Sequence, residues 1–394
     1  MISFGLLLLL LIGIGQFNTS AIVSKKEESS NITLYYISTR ELGVFNNIDP
    51  LTPNYKSIVY PGYGNDMYQN IRQLKGEQAC KNGTVAIFVH GWEESEKNVQ
   101  ERLNRVKLSL AQDGYTGPLV GFSWGSDTVW LGAQFIAQAN GPKLAKLIYD
   151  ITNDCSHSKI RIIAHSLGAR VVLSALDSLH QNPFWTSNNS KIASVHLVGA
   201  AVDDEEVSNR TEFILNDQTN WGSSKSAYGQ AIQGEVINFY NLFSSEDNML
   251  EPFPKPPSIP VYPTFERDFA LGQSGYQKYP LYPKLDLLFN LAKRNSLPKN
   301  YNEINITDEL IAICDADADK HPDKPFIENQ TIKIGDNHRG YLGYRNVTNN
   351  ATIIDDGAID VVVDNWNNIK PTININPIFN SSSICHDTAE STSY

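Results

Sequence analysis

The stretch that most constrains this chain is Arg161-Ile162-Ile163-Ala164-His165-Ser166-Leu167-Gly168-Ala169-Arg170. A mostly β-branched run, Ile160 to Ile163, stops at the small residue Ala164, and Ser166 and Gly168 follow at steps of two. Beyond them Val171, Val172, Leu173, Ala175 and Leu176 recur at helical spacing. The pattern predicts a strand, a sharp turn and a helix, the context of a nucleophile elbow. Small residues at Ala164 and Gly168 let the backbone turn tightly enough for Ser166 Oγ to stand clear of both flanking elements. The first small position of this pattern is usually glycine, and here it is alanine.

The elements around this turn belong to one class. Thr84-Val85-Ala86-Ile87-Phe88-Val89 is a continuous apolar run that ends at His90-Gly91-Trp92, as expected for a strand buried on both faces of a parallel sheet. Helical spacing runs from about Glu94 to Gln112 and from Trp130 to Thr152, with a short strand from Pro118 to Phe122 between them. The helix after Ser166 runs to about Ser178, and further strands are predicted at Ile32 to Thr39, Ala193 to Val198 and Glu235 to Phe243. Strand and helix alternate with short links, so the expected fold class is α/β with a mainly parallel, doubly wound sheet. At 394 residues, 41% apolar and 19% charged, the chain has room for one large domain with additions.

Boundaries follow from changes of pattern. Residues 22–31 read as a polar linker and 32–250 as the core. Residues 251–330 are proline-rich, then carry a helical stretch at Leu285 to Arg294 and an acidic run at Asp315 to Asp323, and read as an insertion or cap. A core strand is expected to return at Thr331 to Ile334 and a last helix at Ala358 to Trp366, which ends the core at 366. Residues 367–394 form an Asn/Ser-rich tail.

A serine hydroxyl near neutral pH needs a histidine to take its proton and a carboxylate to hold the resulting imidazolium. In doubly wound sheets that carry such a set the chain order is serine, acid, histidine. The partners sit at the C-terminal ends of strands. The carboxylates that follow strands after Ser166 are Asp203 and Asp204, and then Glu246 and Asp247. Asp247, on the later strand, is the favoured acid, while Asp203 and Asp204 also read as the start of a short helix continued by Glu205 and Glu206. Of His321, His338 and His386, His338 is the expected base, because it lies just beyond the strand expected at Thr331. The oxyanion of a tetrahedral intermediate needs two backbone N–H donors. The expected donors are Leu167, next to the serine, and Trp92, in the loop that Gly91 frees. His165 reads as a hydrogen-bonding or packing neighbour rather than a second base.

At these residues the chain resembles the α/β-hydrolase superfamily, and within it bacterial and archaeal serine hydrolases. The resemblance is carried by Leu34 to Arg40, Val85 to Trp92, Gly121-Phe122-Ser123-Trp124, Ala164 to Gly168, Ser244 to Leu250, and Asn337-His338-Arg339-Gly340-Tyr341. It implies Ser166, Asp247 and His338 as nucleophile, acid and base, and spans roughly 32–250 and 331–366. The long insertion between acid and base departs from the shorter members. The expected activity is cleavage of small-molecule or lipid carboxylic esters through an acyl-enzyme. The same triad serves peptidases, thioesterases and acyltransferases, and the alternative from another class is a non-catalytic extracellular binding module on this scaffold.

The rest concerns compartment and ligands. The apolar run Phe4 to Gly15, with Asn18-Thr19-Ser20-Ala21 after it, reads as a signal peptide over 1–21 and hence a secreted protein, with an uncleaved anchor as the alternative. Sequons at Asn31, Asn82, Asn188, Asn209, Asn305, Asn329, Asn346, Asn350 and Asn380 agree with export and a glycoprotein. Cys80, Cys155, Cys314 and Cys385 allow three pairings into two disulfides, or none. A net charge of -11 argues against nucleic acid or an anionic membrane surface as partner. No cofactor is expected. Asp315, Asp317 and Asp319 have the start of a calcium-loop spacing, but Lys320 and Phe326 stand where that loop wants glycine and glutamate, so a solvated acidic turn is expected, with a structural calcium as the alternative.

Overall fold

A computed structural model describes residues 32–40, 83–155, 157–209, 227–250, 270–276, 296–307 and 357–369, with shorter stretches at 56–57, 74, 80, 310, 338, 340–345 and 353–355. The expected signal segment and linker, the tail beyond residue 369, the helix at Leu285, the acidic run with Asp315, Asp317 and Asp319, and the strand at Thr331 lie outside the described residues, as do His321, His386, Cys314 and Cys385.

The strands are β1 (Leu34–Ser38), β2 (Lys56–Ser57), β3 (Thr84–Val89), β4 (Leu119–Ser123), β5 (Lys159–His165), β6 (Ile192–Val198), β7 (Val236–Phe243) and β8 (Tyr301–Asn305). They form one sheet in the order β2-β1-β4-β3-β5-β6-β7-β8. All neighbours pair in parallel except β2, which is antiparallel to β1. The long helices are α1 (Glu96–Gln112), α2 (Trp130–Asp154) and α3 (Gly168–His180), and α4 (Ile359–Trp366) closes the described chain. Among the described residues no helix is long and apolar enough to cross a membrane.

Alternation along the strands builds two cores. Val85, Ile87 and Val89 of β3 pack with Leu144, Leu147, Val172 and Leu176 of α2 and α3 on one face of the sheet. Ala86 and Phe88 pack with Leu103, Val106, Val362 and Trp366 of α1 and α4 on the other. Apolar runs with no polar face are therefore what this sheet needs. The chain leaves β3 for β4 on one side and crosses to β5 on the other. The C-terminal ends of β3 and β5 thus flank a switch point, where α/β sheets bind ligands.

The helices begin and approach for local reasons. Ser95 caps α1 by accepting the Asn98 N–H at 3.2 Å. Pro142, inside α2, has no N–H to offer the Gln138 carbonyl one turn back. Ser174 Oγ of α3 donates to that carbonyl at 2.8 Å. Gly141 permits this approach, since a Cβ there would lie 2.2 Å from Ser174 Oγ. A disulfide joins Cys80, ahead of β3, to Cys155 at the end of α2.

The sheet continues into the stretch 251–330. β8 lies within 251–330, the expected insertion, yet pairs in parallel with β7 from Phe239↔Tyr301 to Phe243↔Asn305. Leu271 and Gly272 also join the core, donating to the carbonyls of Val202 and Ala200 at 2.9 Å each. Tyr301-Asn302-Glu303-Ile304-Asn305 shows no apolar run because, among the described strands, it is an edge. Its residues are half-buried or exposed throughout.

His196 of β6 is fully buried, and among the described residues neither ring nitrogen has a hydrogen-bond partner. It stacks on Tyr240 with ring centres 4.6 Å apart. Burial first, and then the Arg161 guanidinium, lower its pKa from 6.5 to about 3. The unfolded chain binds this proton below its ordinary pKa while the folded chain refuses it, so stability is lost as pH falls below 6.5. The slope in that window is about 1.4 kcal/mol per pH unit for one such proton. Thermal unfolding followed from pH 7 to pH 4 should show a steep loss of Tm, shallower in His196→Phe, which keeps the ring stack. Parallel curves for the two proteins would contradict this account.

Candidate active site

The backbone is strained at Ser166. Ser166 has φ 54°, in the left-handed region that a residue with a Cβ rarely occupies. Such a conformation costs about 1–3 kcal/mol and persists only where its surroundings impose it. Ser166 N–H donates to Val198 O at 3.1 Å, and Ser166 O accepts from Ala169 N–H at 3.1 Å and Ala201 N–H at 3.2 Å. The end of β6 and the start of α3 thus hold the turn. Two glycines let the neighbours close in. A Cβ at Gly168 would lie 2.6 Å from the carbonyl oxygens of Val89 and His90. At Gly91 it would lie 2.7 Å from Ser166 Cβ.

Three of the expected residues meet here. His338 Nε2 is 2.8 Å from Ser166 Oγ, and its Nδ1 is 2.8 Å from Asp247 Oδ2. A carboxylate only accepts, so Nδ1 carries the proton, and in the neutral ring Nε2 is the acceptor for the Ser166 hydroxyl. Asp247 is fully buried, and its second oxygen accepts the Met249 N–H at 3.2 Å. The buried Tyr341 phenol donates to Gly272 O at 3.2 Å. Burial, followed by the Asp247 charge beside it, raises its pKa well above 10.

The alternative acids lie elsewhere. Asp203 bridges to Ala270 and precedes the short 3-10 helix Asp204–Val207, and Glu206 N–H donates to Asp203 O at 3.1 Å. Glu246 donates its N–H to Ser244 Oγ at 3.3 Å. Neither bonds the His338 ring.

Of the expected oxyanion donors, Leu167 N–H follows Ser166 in the chain and Trp92 N–H follows Gly91, the glycine that packs against Ser166; neither has an acceptor among the described residues. How the Trp92 peptide is held was not legible from spacing. His90 is fully buried, and its Nε2 receives the Trp124 N–H at 3.0 Å. A backbone N–H only donates, so Nε2 is bare and Nδ1 carries the proton, which it gives to Gly91 O at 2.9 Å. Burial, reinforced by the Arg40 charge, lowers the His90 pKa well below 6.5 and keeps this tautomer neutral. Carbonyl and N–H of one trans peptide point opposite ways. Fixing Gly91 O against His90 therefore directs Trp92 N–H away from that ring. The Trp124 indole closes the unit by donating to His90 O at 2.9 Å.

The next residues are braced as well. Ser126 O accepts the Glu93 N–H at 3.1 Å, and Arg40 Nη2 donates to Glu94 O at 2.7 Å. Arg40 Nε also reaches Ser123 Oγ at 2.9 Å and Glu96 Oε2 at 2.9 Å. Burial raises the Glu96 pKa to about 7, offset in part by the Ser123 hydrogen bond. Trp92 itself donates its indole N–H to Thr128 O at 2.7 Å and meets Trp130 edge-on at 5.1 Å.

The model of a family described as alpha/beta hydrolase of unknown function (DUF900) matches residues 69–251, which hold the elbow, the Gly91 loop and Asp247. No curated protein matches the sequence. Among solved structures, Aspergillus fumigatus lipase B is 12% identical with TM-score 0.35, the match covering 77% of this chain and 56% of that one. Trichoderma reesei cutinase, in complex with a phosphonate inhibitor, is 18% identical with TM-score 0.22, covering 30% and 51%. An esterase from Pyrococcus furiosus is 15% identical with TM-score 0.25, covering 43% and 64%. The chain spans less than two thirds of each of these proteins.

His90→Phe keeps a ring of similar size but frees the Gly91 carbonyl. If Trp92 N–H and Leu167 N–H are the oxyanion donors, its reaction with a phosphonate probe should slow by about 10²-fold. An unchanged rate in a folded variant would show that His90 does not hold the Trp92 peptide.

Proposed function

We propose, from the premise that this chain belongs to the α/β-hydrolase superfamily, that it is a serine hydrolase acting on carboxylic esters, lipid esters included. The observation that carries the reading is the pair of 2.8 Å contacts linking Ser166, His338 and Asp247. Ser166 Oγ attacks the acyl carbon while His338 Nε2 takes its proton. Asp247 stabilises the imidazolium through Nδ1. The negative charge that develops on the acyl oxygen is taken up by Trp92 N–H and Leu167 N–H. His338 then returns the proton to the leaving alcohol, which departs and leaves an acyl-Ser166 ester. A water molecule, deprotonated by His338, attacks that ester. The tetrahedral adduct collapses to free acid and restores the serine hydroxyl.

Export is part of the same proposal. The Cys80–Cys155 disulfide fits an oxidising compartment, and the sequon residues Asn188 and Asn305 are exposed.

The test is turnover of a panel of short to long acyl esters by wild type, Ser166→Ala, His338→Ala and Asp247→Asn. Loss of the serine or the histidine should lower kcat by at least about 10³-fold with the fold intact. Full activity in Ser166→Ala would rule out this mechanism. A folded wild type inert to the panel and to serine-directed reagents would favour a binding module.

A further inference from the structure

The residue before the nucleophile touches the residue that carries the base. His165 is the last residue of β5 and only 3% exposed. Strand alternation puts it on the same face as Ile163, the face covered by α4 and the Gly340–Leu342 turn. There its Nε2 lies 2.8 Å from the backbone oxygen of His338. A carbonyl only accepts, so His165 Nε2–H is the donor, whichever charge the ring carries. The two imidazoles lie 4.9 Å apart and tilted by 40°, so they pack without sharing a proton.

We propose that His165 is a positioning residue for the base, an inference that rests on the serine-hydrolase reading above. The other hydrogen bonds of His338 among the described residues are those of its ring to Ser166 and Asp247. Both of those change character during the reaction, as the proton moves from Oγ to Nε2 and on to the leaving group. The bond from His165 does not. It ties the His338 backbone to the strand that presents Ser166, so base and nucleophile share one rigid support. Tyr341, three residues further on, is tied by its phenol to Gly272 O, and its backbone oxygen accepts the Ala358 N–H at 3.0 Å. The base segment is thus fixed to β5 at one point and to the rest of the core at another.

This role differs from simple packing in what replaces it. Glutamine carries its amide Nε2 as many bonds from Cβ as histidine carries its Nε2, so His165→Gln can donate to the same carbonyl. His165→Asn is one bond too short, and His165→Leu fills the space with no donor. The experiment measures ester turnover and the second-order rate of fluorophosphonate labelling for wild type and these three variants. Misplacing a catalytic group by about 1 Å costs up to about 10²-fold. The expected result is a fall of about 10–100-fold in kcat and labelling rate for Leu and Asn, with KM little changed, and near-complete recovery in Gln.

A proton spectrum gives a second readout. The far-downfield resonance of the His338 Nδ1–H, held by Asp247, should persist in Gln and broaden or vanish in Leu and Asn. If the leucine variant fails to fold, the Gln and Asn pair decides. Equal rates in Gln and Asn, or wild-type labelling in Leu, would overturn the positioning role while leaving the serine mechanism intact. A wild type that does not label would instead remove the mechanism on which the role rests.

Discussion

The left-handed backbone of Ser166 is the constraint on which the site depends. A residue with a Cβ leaves that conformation unless several bonds hold it there, and Ser166 is held at both of its backbone polar groups by β6 and α3. The hydroxyl is lifted off the sheet edge as a result, and the next N–H, that of Leu167, is left without a backbone acceptor. Gly91 and Gly168 follow from the same constraint. Each stands where another residue would push a Cβ into the turn or into the end of β3.

In the proposed mechanism the polar groups around the turn divide into those that react and those that hold. His90 belongs to the second kind. It is a neutral, fully buried ring with both nitrogens bonded to backbone, and it sets the orientation of one peptide. Its environment contrasts with that of His338, which is partly buried and bonded to two side chains. Arg40 extends the support by joining the end of β1 to the Glu94 carbonyl and to Ser123 at the end of β4. Three strand ends therefore converge on the loop that carries Trp92. Rigid donors of this kind stabilise developing charge without reorganising during the reaction.

The sheet and the elbow were legible in the sequence because their signals are local. A strand buried on both faces must be apolar without interruption, as at Val85 to Val89, and a tight turn must use small residues, as at Ala164 and Gly168. The order of serine, acid and histidine then selected Asp247 and His338 by topology, although they lie far apart in the chain. What could not be read there depends on contacts between distant residues. β8 leaves no such signal because an edge strand can be polar, and none of Tyr301 to Asn305 is fully buried. The tautomer of His90, the reach of Arg40 and the bond from His165 to His338 leave no periodic trace. They show only as single residues inside the recurring stretches.

The most direct test of the central claim is the site of a covalent adduct. Wild-type protein treated with a fluorophosphonate and mapped by peptide mass spectrometry should carry one phosphonyl group, on the peptide that contains Ser166, and His338→Ala should carry almost none. A folded wild type with no adduct, or with one at another residue, would contradict the account that Ser166, His338 and Asp247 form one reacting unit.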